Sequence, residues 1–146
     1  MKSKLLSNEP TTYAVVFQTG DEAMVGLERF AAEQSLKASE LMAVGAFQKC
    51  VLGYFNFDTM DYDRIEINEQ VELLSLIGNV SLGPKKRKVH VHVVVGKRDG
   101  TAHGGHLLEA YVRPTLEVIL TELPANLQRK HDDETGLTLI AIDEVR

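Results

Sequence analysis

The sequence predicts an α+β fold with a largely antiparallel central β-sheet and one main helix near the N-terminus. One amphipathic helical segment follows the first strand, and several segments with alternating apolar and polar residues follow the helix. Too few helices are available for the crossovers of a parallel, doubly wound sheet. The chain has 146 residues, 44% hydrophobic and 25% charged, which is typical of a globular protein. We therefore predict a single domain over residues 1–146.

The first strand is predicted at residues 13–18, YAVVFQ, and the helix at residues 21–36. Thr19 or Asp21 is the predicted N-cap, and the acidic side chains of Asp21 and Glu22 suit the positive end of the helix dipole. One face of the helix is apolar, because its apolar residues recur at helical spacing: Ala23, Met24, Leu27, Phe30 and Ala31.

The remaining segments are predicted strands. Gly45 and Gly53 lie inside the predicted strand at residues 40–57, where they indicate bends or bulges. The predicted strands are ELMAVGAFQKCVLGYFNF (40–57), RIEI (64–67), VELLSLIGNV (71–80), KVHVHVVVG (88–96), TLEVILTEL (115–123) and GLTLIAI (136–142).

Charge and composition limit the functional classes. The formal net charge of −5 has the wrong sign for a protein that wraps DNA, because contacts with phosphate need positive charge. No apolar run is long enough to cross a membrane, and the N-terminus lacks the apolar segment of a secretory signal. A single cysteine, Cys50, cannot form an internal disulfide. We therefore expect a cytoplasmic protein in which Cys50 is a small core residue.

A β-hairpin is predicted at VHVHVVVGKRDGTAHGGH, residues 89–106. His90 and His92 are two positions apart in an alternating strand, so their side chains project from the same face. The loop is predicted at residues 98–100, as a three-residue turn that ends in a left-handed glycine. This register places His92 opposite His106, with their Cβ atoms roughly 5 Å apart.

Three converging imidazoles predict a metal site formed by His90, His92 and His106. Neutral imidazoles bind zinc, and a three-histidine set leaves a fourth position open for water or substrate. Iron, nickel, manganese and cobalt are alternatives, because three nitrogens select weakly among these metals. His103 falls on the opposite face, unless a bulge at Gly104-Gly105 shifts the register. The other interpretation is that the histidines are only structural residues of a half-buried strand.

Four consecutive basic residues, 85–88, precede the histidine strand. PKKRKV has the form of a nuclear-import signal, but we reject that interpretation because the run leads directly into a strand. Alternation predicts Lys86 and Lys88 on the face of the histidines, where they would help a small anionic ligand to approach. A solvated strand edge and a contact with nucleic acid are the other two interpretations.

Three longer segments together resemble the plants-and-prokaryotes-conserved (PPC) domain: AVGAFQKCVLGYF, ELLSLIGNVSL and VHVHVVVGKRDGTAHGGHLLEAYVRPTLEVILTEL. The similarity runs from about Tyr13 to Ile142. The resemblance implies an α+β fold and a homotrimer. It also implies DNA binding, which is ascribed to prokaryotic members because of the plant members. Those plant members carry an Arg-Gly-Arg-Pro hook that this sequence lacks, and Glu69, Gln70 and Val71 stand where the plant partner-binding stretch has Gly-Arg-Phe.

The PPC fold is in turn similar to that of acetolactate decarboxylase, and by that likeness the three histidines match its metal ligands. Catalytic partners are harder to place. Glu109 would face away from the histidines on a continuing strand, but would reach them after a turn. Arg113 and Glu117 are candidates for the decarboxylase's catalytic arginine and glutamate.

Three functional hypotheses follow. The first is a small metal-binding and regulatory protein that contacts DNA through an assembly. The second is a metal-dependent decarboxylase, lyase or hydrolase that acts on a small anionic carbonyl compound, whose charge Lys86 or Lys88 would offset. The third is a trimeric scaffold with structural histidines only.

Overall fold

The computed structural model describes residues 1–142, and within that range it contains one helix and nine strands. The predicted combination of one N-terminal helix with a mainly antiparallel sheet is confirmed. The elements are β1 (Lys2–Asn8), β2 (Thr11–Gln18), α1 (Ala23–Glu33), β3 (Ala38–Asn56), β4 (Asp61–Ile67), β5 (Val71–Leu82), β6 (Arg87–Gly96), β7 (Ala102–Glu122), β8 (Gln128–His131) and β9 (Thr138–Ala141).

All nine strands belong to one sheet, with the order β1-β2-β7-β3-β5-β8-β9. Strand β4 pairs with β3, and β6 pairs with both β5 and β7. Strands β3 and β6 each pair with both β5 and β7, so the four strands β3, β5, β6 and β7 form a closed ring. Every pairing is antiparallel except that of β5 with β8, where Leu82 and Gln128 pair in parallel, so the sheet is mixed.

Helix α1 covers the core with its predicted apolar face. Leu27 and Phe30 are at most 2% exposed and belong to the core cluster. The predicted N-cap is wrong: the carboxylate of Glu22 accepts a hydrogen bond from the backbone N–H of Val25 at 2.6 Å. Asp21 instead accepts from the backbone of Gln18 and from the N-terminal ammonium group.

Three strand predictions differ from the structure. Strand β1 was missed because all seven of its residues are exposed, so its sequence carries no alternating pattern. Strand β8 was missed because it is only four residues long. The histidine arm of the hairpin and the segment TLEVILTEL form one 21-residue strand, β7. Gly45 lies at the predicted irregularity, with φ 153° and a register shift beside it.

Cys50 lies in the core, as predicted, with 2% of its surface exposed. Burial raises the pKa of its thiol to about 11, so the thiol stays protonated at neutral pH. Among residues 1–142, no helix is long and apolar enough to cross a membrane.

Candidate metal centre

The hairpin between β6 and β7 has the predicted register. His92 pairs with His106, and Val95 pairs with His103. The backbone N–H of Lys97 donates to the carbonyl of Thr101 at 2.8 Å, and Gly100 closes the loop with φ 84°. The pairing has no register shift at Gly104 and Gly105, so His103 and His106 lie on opposite faces of the hairpin, as predicted.

The side chains of His90, His92 and His106 converge on the outer face of the sheet. Their ring centroids lie 5.1 to 5.4 Å apart, and one nitrogen from each ring lies within 4.8 Å of the others. The Nε2 atoms of His90 and His92 are 3.2 Å apart. Two nitrogens that bind one tetrahedral ion at roughly 2.0–2.1 Å are about 3.3 Å apart, so this spacing fits a shared metal ion.

The three rings differ in burial. His106 is 7% exposed, and its buried Nδ1 has no hydrogen-bond partner among the described residues. Burial lowers the pKa of both His90 and His106 to about 4. Electrostatic repulsion adds to this effect, from Arg129 at His90 and from the other rings of the cluster, when they are protonated, at His106. Both rings are therefore neutral at pH 7, which is the form that binds metals.

Tyr62 of β4 positions His106. The two rings are stacked, with centroids 4.8 Å apart and planes 25° apart. Gly53 of β3 pairs with His106, and a Cβ atom at Gly53 would collide with the ring of Tyr62. The glycine therefore leaves the space in which Tyr62 covers the histidine. Sequence reasoning did not find Tyr62, because β4 carries no pattern that points to the hairpin.

Arg129 of β8 contacts His90, and sequence reasoning did not find this residue either. It is 7% exposed, and one of its terminal nitrogens lies 3.4 Å from Nδ1 of His90. A guanidinium group only donates, so this contact requires Nδ1 to accept and leaves Nε2 of His90 to donate to His92. Three neutral oxygens also fix the guanidinium: those of Ser81 at 2.6 Å, Thr138 at 2.8 Å and Asn79 at 2.9 Å.

A cleft of about 440 Å³ opens beside these residues. The basic run forms part of its wall, but its members point in different directions. Lys86 makes an ion pair with Glu28 of the helix at 2.7 Å, and Arg87 donates to the backbone carbonyl of Leu36 at 2.6 Å. Lys88 is exposed, and its charge contributes to the lowered pKa values of the buried histidines.

Among the hydrogen bonds and ion pairs of the described residues, none joins the predicted catalytic candidates Glu109, Arg113 and Glu117 to the histidines. A bulge at Leu108 puts Glu109 on the face of His106, so the prediction that a continuing strand would turn it away is wrong. Its carboxylate instead pairs with Arg64 at 2.5 Å. Arg113 and Glu117 are exposed further along β7. At about 3.3 Å per strand residue, Arg113 lies roughly 20 Å from His106.

A family model described as the Plants and Prokaryotes Conserved (PCC) domain matches residues 6–124. The chain is also 33% identical, over 136 residues, to the bifunctional protein GlmU of a Synechococcus strain. That match covers 91% of this chain and 21% of the relative, so the chain spans about a fifth of the length of the curated protein it matches.

Solved structures support the same likeness. A candidate DNA-binding protein from Bacteroides thetaiotaomicron is 27% identical with a TM-score of 0.89, and the match covers 96% of each chain. A metal-containing protein from Archaeoglobus fulgidus is 32% identical with a TM-score of 0.83, over 97% of each chain. A Staphylococcus aureus protein similar to alpha-acetolactate decarboxylase shares the fold alone, at 13% identity and a TM-score of 0.58, over 86% of this chain and 55% of that one.

Proposed function

The chain belongs to the Plants and Prokaryotes Conserved (PCC) domain family, and on that premise we propose that it binds a metal ion. His90, His92 and His106 would hold one divalent ion. The observation that carries this proposal is the approach of three ring nitrogens, one from each histidine, to within 4.8 Å of one another. The unpartnered, buried Nδ1 of His106 supports it, because a polar atom without a partner is costly in the interior.

Zinc is the first choice among metals. A set of three imidazoles is a common zinc site, and the metal-containing relative from Archaeoglobus fulgidus supports a metal without identifying which one. Iron, nickel, manganese and cobalt remain alternatives. When bound, the ion would supply an open coordination position and Lewis acidity.

Metal analysis tests this proposal directly. His92 and His103 are both exposed and lie on opposite faces of the same hairpin, so they form a matched pair. Protein purified without chelator should contain about one ion per chain in the wild type and in His103→Ala, and close to none in His92→Ala. Equal metal content in the wild type and His92→Ala would leave the histidines with a structural role only.

Catalysis on a small anionic carbonyl compound is a second candidate function, of the decarboxylase, lyase or hydrolase type. The basic cleft of about 440 Å³ beside the histidines favours it. The metal would be the electrophile in such an enzyme. Turnover of such compounds by metal-loaded protein that is lost in His92→Ala would support this candidate, and turnover that is unchanged in His92→Ala would contradict it.

DNA contact is a third candidate, supported by the exposed basic residues at the cleft and by the relative from Bacteroides thetaiotaomicron. Binding through phosphate should weaken steeply with salt, and Lys88→Gln should reduce that slope by about one. A titration of duplex DNA that shows no affinity even at low salt would remove this function.

We also propose that the protein is a cytoplasmic homotrimer. The outer face of the sheet exposes large apolar side chains on neighbouring strands, where Met42 pairs with both Ile77 and Ile119. Such a face suits an interface between copies. Light scattering should give about three times the chain mass of 16.2 kDa. A monomer at all concentrations would contradict the assembly.

A further inference from the structure

Arg129 is a buried cation that has no carboxylate partner among residues 1–142. Its guanidinium group is always charged, and removing such a group from water costs several kcal/mol unless a negative group compensates. Its four hydrogen-bond acceptors among the described residues, in Ser81, Asn79, Thr138 and His90, are all neutral. No carboxylate pairs with Arg129 among residues 1–142.

The lining of the cleft adds further positive charge from Lys85, Arg87 and Lys88, whereas Lys86 is paired with Glu28 of the helix. The lining includes Arg129 and the whole run from Lys85 to Lys88, and none of the lining residues in the described chain is acidic. This contrasts with the formal net charge of −5 for the whole protein. Imidazoles bind a metal in their neutral form, so a divalent ion held by the three histidines would keep its two positive charges.

Metal binding would also leave two donors facing each other. If His90 binds the ion through Nε2, its proton must lie on Nδ1. That N–H would then face the N–H groups of Arg129, whose nearest nitrogen is 3.4 Å away. Neither group can accept, so an added oxygen acceptor is needed to satisfy both.

The cleft also has apolar walls, which favour an anion that carries an apolar chain. Tyr62, Pro84, Leu137 and Leu139 line it together with the basic side chains. Its volume of about 440 Å³ lies within the range of small-molecule sites. A short apolar chain would contact these walls, whereas a sugar-phosphate backbone would not use them.

We infer that this cleft binds a small organic carboxylate, with the carboxylate at the guanidinium group of Arg129 and a short apolar chain against Leu137 and Leu139. Lys88 stands at the mouth and attracts the anion. The inference rests on the proposed metal site, because the uncompensated charge of the ion adds to that of Arg129. It identifies the class of ligand that the metal centre would act on.

The test compares butyrate with butyramide, which has the same shape and no charge. Calorimetric titration of zinc-loaded protein at constant ionic strength should show butyrate binding at least about tenfold more tightly, the effect expected from one charged hydrogen-bonded contact. Equal affinities, or no binding of butyrate, would overturn the inference. Because this comparison uses the wild type, it does not depend on the folding of any variant.

Three variants locate the binding site. Arg129→Gln should remove the preference for butyrate, and Lys88→Gln should weaken butyrate binding about two- to fivefold. Lys4→Gln on β1 makes the same charge change on an exposed residue far along the sheet, and it should have no effect. A preference that persists in folded Arg129→Gln would also overturn the inference. If Arg129→Gln does not fold, equal weakening of butyrate binding in Lys88→Gln and Lys4→Gln would overturn the inference.

The metal content of the same samples separates the two proposals. Wild-type protein that holds zinc but does not distinguish the two probes contradicts only the carboxylate site. Wild-type protein that holds no metal contradicts the metal centre, whatever the probes do.

Discussion

The two faces of strand β6 differ in composition and in exposure. After Arg87, its inner face consists of four valines, none more than 2% exposed: Val89, Val91, Val93 and Val95. Its outer face carries His90, which is half-buried, and His92, which is exposed. Because successive strand residues alternate between faces, the residues that stabilise the fold and those that form the site are interleaved in one stretch of sequence.

The same division occurs on β7, where the neighbours His106 and Leu107 point to opposite faces. Leu107 is fully buried in the core, whereas His106 faces the other two histidines. Changes to the inner face should therefore alter stability, and changes to the histidines of the outer face should alter metal binding. The following variants and conditions test that separation, from the largest expected effect to the smallest.

Leu107→Ala should lower the free energy of unfolding by about 2–5 kcal/mol, because it removes buried methyl groups and leaves a cavity. Urea denaturation measures this loss, and the protein that remains folded should still contain its metal. Leu5→Ala on the exposed strand β1 is the control and should change stability by less than about 0.5 kcal/mol. A metal-free but stable Leu107→Ala protein would contradict the separation.

Lowering the pH from about 6.5 to about 4 should destabilise protein stripped of metal. The folded state keeps His90 and His106 neutral, with the pKa of each lowered to about 4. In the unfolded chain the pKa of each histidine is near 6.5, so between about pH 6.5 and 4 the unfolded chain binds more protons than the folded protein does. The free energy of unfolding therefore decreases as the pH is lowered through this window. Denaturation at several pH values should show a shallower dependence in His106→Gln. Equal slopes in the two proteins would count against neutral, buried imidazoles.

Tyr62→Ala should weaken zinc affinity by up to about tenfold, because aromatic stacking contributes roughly 0.5–1.5 kcal/mol and here holds the ring of His106. Tyr62→Phe keeps the stack and should retain the affinity of the wild type. Competition with a chelator measures both affinities. Equal losses in the two variants would show that the hydroxyl matters and that the stack does not.

Glu109→Gln should have the smallest effect. Its exposed ion pair with Arg64 is expected to contribute roughly 0.2–1 kcal/mol to stability, and the metal content should not change. Glu117→Gln, on the same strand, is the matched control. Loss of metal in Glu109→Gln alone would place this carboxylate in the site after all.

The hairpin could be predicted from the sequence because alternation and loop length together fix its register. His92 opposite His106 follows from the position of Gly100 and from counting outwards from the loop. The same counting failed at Glu109, where the bulge at Leu108 shifts parity by one residue. No glycine or proline at that position signals the bulge.

Tyr62 and Arg129 could not be predicted, since both reach the site from strands that are distant in sequence. Arg129 lies on a four-residue strand that carries no periodic pattern. Its importance is visible only from its burial and from the lack of a carboxylate partner among the described residues. Three-dimensional contacts, not local patterns, identify such residues.

The most direct test of the metal centre is anomalous diffraction from crystals of zinc-loaded protein, measured at the zinc absorption edge. The account predicts one strong peak at roughly 2.0–2.1 Å from one ring nitrogen of each of His90, His92 and His106. An absent peak at that point, or a peak that lies only elsewhere on the protein, would contradict it.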